Sequence, residues 1–254
     1  NLQNIPVRED IGRRIRSAFV AAPGCALVSA DYSQIELVVF AHLSGDEELC
    51  RSFRDGSDVH RRTASLMFGI PEADITVTAR RAAKTINFGV IYGMGAFRLA
   101  QELSIPRKEA QKFIEAYFSR YNGVAKFIEE TVRSARERGY VTTISGRRRY
   151  LPAISSRNAN ERQGAERMAV NSPVQGSAAD IMKLAMIAVD RMLQAEFPEA
   201  RLVLQVHDEL IIEVPQKQAA QLAERLGTTM AAVIELTVPL RSSVETGNCW
   251  GDIH

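Results

Sequence analysis

Hydrophobic spacing divides the chain into short β-like runs at its two ends and long helical periods between them. Residues 26–31, Ala-Leu-Val-Ser-Ala-Asp, form an apolar run that closes on a carboxylate and predict a buried strand. A helix is expected over 33–43, broken by Ser44-Gly45-Asp46, with more helix over 47–53 and 60–68. Residues 71–103 read as mostly helical, with Gly89, Gly93 and Gly95 as weak points. Two amphipathic helices follow between Pro106 and Gly139. Phe113, Ile114, Tyr117, Phe118 and Tyr121 make one apolar face, and Val124, Phe127, Ile128 and Val132 make the next. A small hairpin is expected from 140–144 and 148–151 around Ser145-Gly146. A long helix over 160–195 then leads to a hairpin at 202–214, a helix near 216–235 and a last strand at 238–244. Strand, many helices, hairpin, helix and strand imply an α+β fold: a small, mostly antiparallel sheet with a large helical insertion.

Both ends of the predicted sheet carry carboxylates. Asp31 stands where a strand turns into a helix, and Asp208-Glu209 sits in the tight turn of a hairpin. Such positions push a side chain out at a sheet edge, where a divalent ion can reach it. Mg²⁺ takes only one or two protein carboxylates and completes its octahedron with water and substrate phosphates. Two ions ~4 Å apart suit an attacking hydroxyl and a leaving pyrophosphate. Each residue also has an ordinary structural role open to it. Asp31 fits a helix cap, Asp208 and Glu209 fit hairpin-turn residues, and His207 fits a packing or hydrogen-bonding histidine. Ser33-Gln34-Ile35-Glu36 matches a capping box, in which Glu36 bonds back to the helix start.

Arg80, Lys84, Phe88 and Tyr92 recur every four residues and form one drifting helical stripe. An Arg and a Lys one turn apart can grip a triphosphate, the first as a fork and the second as a point charge. The aromatics further along can meet a sugar and a base. The competing reading is a half-exposed helix with snorkelling cations and a buried aromatic edge. His60 offers a third phosphate contact. Arg167, Asn171 and Gln175 form a second stripe of the same period, which Pro173 is placed to distort. Arg147-Arg148-Arg149, with Arg157 and Arg162, adds a basic patch that suits a nucleic-acid strand.

Composition narrows the setting without deciding it. A formal net charge of +2 means that any nucleic-acid binding must come from such local clusters. Cys25, Cys50 and Cys249 are widely separated and in no metal-binding spacing, which points to reduced thiols in a cytoplasmic protein. No apolar run approaches the ~20 residues needed to cross a bilayer, so no membrane contact is expected. Beginning at Asn1 without a methionine, the chain reads as a fragment of something longer.

The chain closely resembles the family A DNA polymerases of the bacterial DNA polymerase I type. Asp31-Tyr32-Ser33-Gln34-Ile35-Glu36-Leu37 is similar to that family's first carboxylate motif, Arg80 through Gly93 to its nucleotide-binding helix, and Gln205-Val206-His207-Asp208-Glu209 to its second carboxylate motif. The segments from Asn1 to Arg8 and from Ser172 to Gly176 also look like family segments, in order, so the resemblance runs end to end.

The resemblance implies a right-hand polymerase with palm at 1–43 and 157–254, fingers at 44–156, and the thumb absent. Asp31 and Asp208 would hold two Mg²⁺ ions, with the carbonyl of Tyr32 as a further ligand, and Glu209 would be an accessory carboxylate near the primer end. Lys84 counts with these among the catalytic residues. Arg80, Lys84 and His60 would hold the dNTP triphosphate, Phe88 would pack on the deoxyribose, and Tyr92 would mark the templating position. Glu36 would exclude ribonucleotides by blocking the 2′-hydroxyl. Arg167, Asn171, Gln175 and His207 would line the path of primer–template DNA, with Asn1 and Asn4 as extra contacts. A monomer is expected, with a finger helix that swings closed over a correct base pair.

One departure stands out. Where members of the family usually carry Arg after Ile-Glu-Leu, this chain has Val38, a change expected to alter local ion pairing or the stringency of sugar selection. Without its thumb, the piece is expected to grip duplex weakly and to expose apolar surface on its palm. Two other readings remain open. One is a related single-subunit RNA polymerase, against which Glu36 argues. The other is a primer–template binding module without turnover, against which Asp31 and Asp208 argue.

Overall fold

The structure, a computed structural model, describes residues 2–6 and 9–253. The expected contact from Asn1 lies outside the described residues, as do Val7, Arg8 and His254. In chain order the elements are α1 (Asp10–Ser17), β1 (Cys25–Tyr32), α2 (Ile35–Ser44), α3 (Glu47–Arg54), α4 (Val59–Phe68), α5 (Val77–Ile91), α6 (Ala96–Leu103), α7 (Arg107–Arg120) and α8 (Asn122–Arg138). These are followed by β2 (Tyr140–Thr142), β3 (Arg148–Tyr150), α9 (Ala159–Glu196), β4 (Arg201–Val206), β5 (Glu209–Pro215), α10 (Ala219–Ala231) and β6 (Ser242–Gly247). Contacts group them into two compact units. One comprises Asn1–Ile35, Ile181–Glu235 and Leu240–His254, and the other Glu36–Asp180 and Leu236–Pro239.

The first unit is built on a four-stranded antiparallel sheet in the order β4-β5-β1-β6. Central β1 is buried along nearly its whole length, which is why its sequence reads as an apolar run rather than an alternation. Alternation still sorts its side chains. Tyr32 is buried with its hydroxyl donating to the carbonyl of Met230 in α10 at 2.8 Å, so α10 covers that face. Leu27 points the other way and packs with Val206, Ile211, Trp250 and Ile253. Trp250 anchors this second layer, with Phe19 edge-on at 5.6 Å and the Arg16 guanidinium 4.1 Å above its ring. The unit also leaves Ile11, Val20, Ile187 and Val203 exposed.

The second unit is helical. Its α2 is apolar all round, and residues 37–41 are all buried, as expected of a helix with no solvent face. Asp46 caps α3 and Asp58 caps α4 through side-chain acceptors, and Gly69 and Gly139 end α4 and α8 in the left-handed conformation. The small hairpin β2–β3 pairs Tyr140 with Tyr150 and Thr142 with Arg148.

Most sequence-derived elements are present, with three differences. Helix α1 has no counterpart in the sequence reading, because its eight residues are mostly polar and show only a short apolar pattern. The mostly helical stretch expected over 71–103 is two helices, and the break falls at one of its expected weak points, Gly93, at φ 65°. The last strand lies at Ser242–Gly247 rather than 238–244. Val238 and Leu240 are buried outside any strand, so their apolar character reflects burial rather than pairing. Pro173 does not end α9, which runs through it as one helix. The three cysteines are free thiols. Among the described residues, no helix is long and apolar enough to cross a membrane.

Candidate active site

Strand pairing in the sheet unit brings the distant carboxylates together. Asp31 at the end of β1 lies directly opposite Glu209 at the start of β5, a register that puts their side chains on one face. The amide of Tyr32 donates to the carbonyl of Asp208 at 3.2 Å and fastens the hairpin turn beside Asp31. The turn is the two-residue loop His207-Asp208, and His207 adopts φ 54°, a left-handed value that L side chains rarely take. Asp31 and Asp208 are half-buried, whereas Glu209 is 4% exposed and accepts a short hydrogen bond from Ser29 Oγ. His207 is exposed, and its Nε2 lies 3.1 Å from the carbonyl of Gln3. Asn4 is exposed at the end of a short 3₁₀ turn.

These donors suit a hard cation: two half-buried carboxylates and backbone carbonyl oxygen at the end of β1 and in the turn before β5. Among the described residues, no three His, Cys, Asp or Glu side chains form a cluster able to hold an ion by themselves. An ion here would take the rest of its shell from water and substrate, as Mg²⁺ commonly does.

In the helical unit, α5 carries the cationic stripe. Lys84 is exposed, and Arg80 and Phe88 are half-buried. Tyr92 falls one residue beyond the helix, 38% exposed, where its hydroxyl donates to Glu36 Oε2 at 2.6 Å. Burial, then this hydrogen bond and the Glu36 charge, push the Tyr92 phenol up to about 12. Glu36 therefore looks towards Tyr92, and the capping box is not formed. Helix α2 starts at Ile35 after Gln34 at φ 56°, which places Ser33 one residue too early. Val38 is 1% exposed in α2, so its aliphatic side chain packs where an arginine would have needed a buried partner.

The second stripe, on α9, meets the end of the first. The side chain of Arg167 packs on Gly93, where a Cβ would come within 2.7 Å of its Cγ. With its amide turned so that the nitrogen faces them, Asn171 donates to the carbonyls of Ile91 and Arg167, and the Gln175 side chain hydrogen-bonds Tyr92. Arginines of the basic patch have separate partners: Arg147 pairs with Asp180 at 2.9 Å, and Arg148 lies 4.8 Å over the Tyr140 ring.

Beneath the cationic stripe lies a polar cluster of which sequence reasoning named His60 and Arg80 but not Asp58 or Asn87. Asp58 accepts from the amides of His60 and Arg61 at 3.0 and 3.1 Å and from Arg80 Nε at 2.7 Å. His60 is 2% exposed, tilted against Phe88 at 5.7 Å between ring centroids, and bonded through Nδ1 to Asn87 at 3.0 Å. Burial lowers the His60 pKa to about 4, with Lys84 and Arg80 acting in the same direction and Asp58 against. A capping Asp immediately before an apolar helical period was a visible signal for Asp58. Asn87 gives no such signal, because an asparagine inside a helix is usually a surface residue.

Comparison with known proteins follows this geometry. A sequence model described as DNA polymerase family A matches residues 1–252. The chain is 52% identical over 254 residues to the DNA polymerase I of Treponema pallidum, covering all of this chain and 26% of that protein. It is 54% identical over 250 residues to the thermostable DNA polymerase I of Thermus aquaticus, covering 98% of this chain and 30% of that protein. Among solved structures it is similar to the POL domain of Pol1 from M. smegmatis in complex with DNA primer-template and dNTP. That similarity has a TM-score of 0.95 and 45% identity, over 100% of this chain and 45% of that one. The chain thus spans roughly a quarter to a third of the length of these curated relatives.

Proposed function

Because the chain belongs to DNA polymerase family A, we propose that it is the catalytic part of a template-directed DNA polymerase that adds dNTPs to a primer 3′-hydroxyl. The observation that carries this reading is the β1–β5 register, which sets Asp31 against the hairpin bearing Asp208 and Glu209. On this reading residues 1–43 and 157–254 are palm and 44–156 are fingers.

The primer 3′-oxygen forms a bond to the α-phosphorus of the dNTP as the bond to the bridging oxygen of the β-phosphate breaks. Pyrophosphate leaves with the electron pair, and the hydroxyl proton passes to water. Asp31, Asp208 and the Tyr32 carbonyl would hold two Mg²⁺ ions, which when bound favour the ionised hydroxyl and offset charge on the leaving group. Arg80, Lys84 and His60 bind and orient the triphosphate. Phe88 packs on the sugar, and Glu36, held by Tyr92, crowds a 2′-hydroxyl. Glu209, bonded to Ser29, acts as an accessory carboxylate near the primer end. Arg167, Asn171, Gln175 and His207 contact primer–template DNA. The protein works as a monomer in the cytoplasm.

The test is single-turnover addition of one nucleotide to an annealed primer–template, with protein in excess and Mg²⁺ present, in this chain and in its full-length parent. Extension that disappears in Asp208→Ala, and that favours dNTP over rNTP, is the expected result. A parent that retains full extension with Asp208→Ala would overturn the assignment of the carboxylates.

A further inference from the structure

The buried cluster under the triphosphate-binding face contains a chain of hydrogen bonds whose protons can be counted. Thr63, Asn87 and Tyr121 are all fully buried, so each polar proton must find an acceptor within the protein. Thr63 has one hydroxyl proton. Its Oγ1 lies 2.7 Å from the carbonyl of Val59, one helical turn back, and 3.2 Å from Asn87 Oδ1. The shorter contact takes the proton. The Thr63 lone pairs then accept from the Tyr121 hydroxyl at 2.9 Å and from Asn87 Nδ2 at 3.1 Å. Burial pushes the Tyr121 phenol up to about 12, so it keeps its proton. The second amide proton of Asn87 then falls to His60 Nδ1, which lies 3.0 Å from Nδ2, a nitrogen that can only donate. A nitrogen that accepts from an amide carries no proton, and a neutral imidazole then carries its one proton on Nε2.

We propose that Asn87 is a positioning residue that fixes His60 as the neutral imidazole protonated on Nε2, so that the ring offers the triphosphate an uncharged hydrogen-bond donor. The proposal rests on the reading of His60 as a triphosphate contact. An imidazolium would set an N–H against the N–H of Asn87, a repulsion the buried ring cannot relieve by turning to water. The charged groups that face His60 are Asp58 at the N-terminus of α4 and Arg80 and Lys84 on α5. Of these only Asp58 favours the cation, and its carboxylate is already shared between two amides and Arg80. The positive charge offered to the triphosphate therefore comes from Arg80 and Lys84, and His60 supplies direction. Because Asn87 sits on α5 and His60 on α4, the same hydrogen bond ties the histidine to the helix that carries the cations.

Long-range ¹H–¹⁵N spectra of the chain labelled with ¹⁵N-histidine, at neutral pH, report which ring nitrogen bears the proton. The sequence has four histidines, and the His60 signals are those lost in His60→Gln. The expected wild-type result is a bare, pyridine-type Nδ1 and a protonated Nε2. Asn87→Asp, which can only accept, should move the proton to Nδ1, and Asn87→Ala should give a mixture of tautomers. A wild-type ring protonated on Nδ1 overturns the proposal whether or not a variant folds, and so does an unchanged tautomer in both variants. Titration with dTTP and Mg²⁺ should shift the Nε2 signal saturably, with binding about tenfold weaker in Asn87→Asp. If the tautomers behave as expected but dTTP leaves the His60 signals in place, the triphosphate reading fails and the assignment to Asn87 stands.

Discussion

Asp58 performs two tasks with one carboxylate, and a pair of substitutions separates them. Its Oδ1 caps α4 by accepting from the amides of His60 and Arg61, and its Oδ2 receives Arg80 Nε. Burial pulls this carboxyl upward, but the hydrogen bonds from Arg80 and from the two amides outweigh it, so the pKa ends below the ordinary value. At neutral pH both contributions are therefore fully present, and they are lost only as pH falls through that depressed value. The cap is worth about 1 kcal/mol. The ion pair joins side chains 42% and 35% exposed, so solvent screening reduces it to about 0.5 kcal/mol. Asp58→Ala should cost about 1.5 kcal/mol, the sum of the two. Asp58→Asn should cost only about 0.5 kcal/mol, because its amide oxygen still caps the helix while its NH₂ faces Arg80 as donor against donor. Urea denaturation at pH 7 measures both. Binding of dTTP to each folded variant should weaken alike, since both lose hold of Arg80. Equal destabilisation by Asn and Ala would refute the division between cap and ion pair. Unchanged dTTP affinity in Asp58→Asn would refute the role in placing Arg80.

Two further outcomes are expected. Because the His60 pKa in the folded protein lies near 4, below its ordinary 6.5, stability is complete above about pH 6.5 and falls as pH drops from there towards 4. The loss amounts to at most about 3.4 kcal/mol. Urea midpoints measured across that range should show the slope in the wild type and lose most of it in His60→Gln; parallel curves would sink the argument. His207→Gly should leave stability within about 1 kcal/mol, because relief of the left-handed conformation offsets lost chain stiffness, while weakening the grip on a labelled primer–template. A large drop in thermal midpoint would instead show that the imidazole holds the turn.

Local structure was legible in the sequence where side-chain type and periodicity coincide. Arg80, Lys84 and Phe88 share a helical face at a spacing the α-helix dictates, with Tyr92 just past the helix end, and Asp31 closes an apolar run that only a buried strand explains. The cap at Gly139 follows from the same local rules, which also allowed caps at Asp46 and Asp58 that the sequence reading did not assign. Local rules also misled. The Ser33–Glu36 spacing suits a capping box, but Gln34 turns left-handed and the carboxylate of Glu36 goes to Tyr92, whose residue number lies far along the chain.

What the sequence determined by itself is therefore most of the elements and the faces their side chains occupy, because both follow from backbone geometry over a few residues. Tertiary structure alone decided the rest. The register of β1 against β5 sets which carboxylate opposes which, and a slip of one residue would turn Asp31 to the other face. The partner of His60 is an asparagine on another helix, brought within 3.0 Å by packing between α4 and α5. Pairings of this kind depend on which groups lose water together, and no pattern along the chain records that.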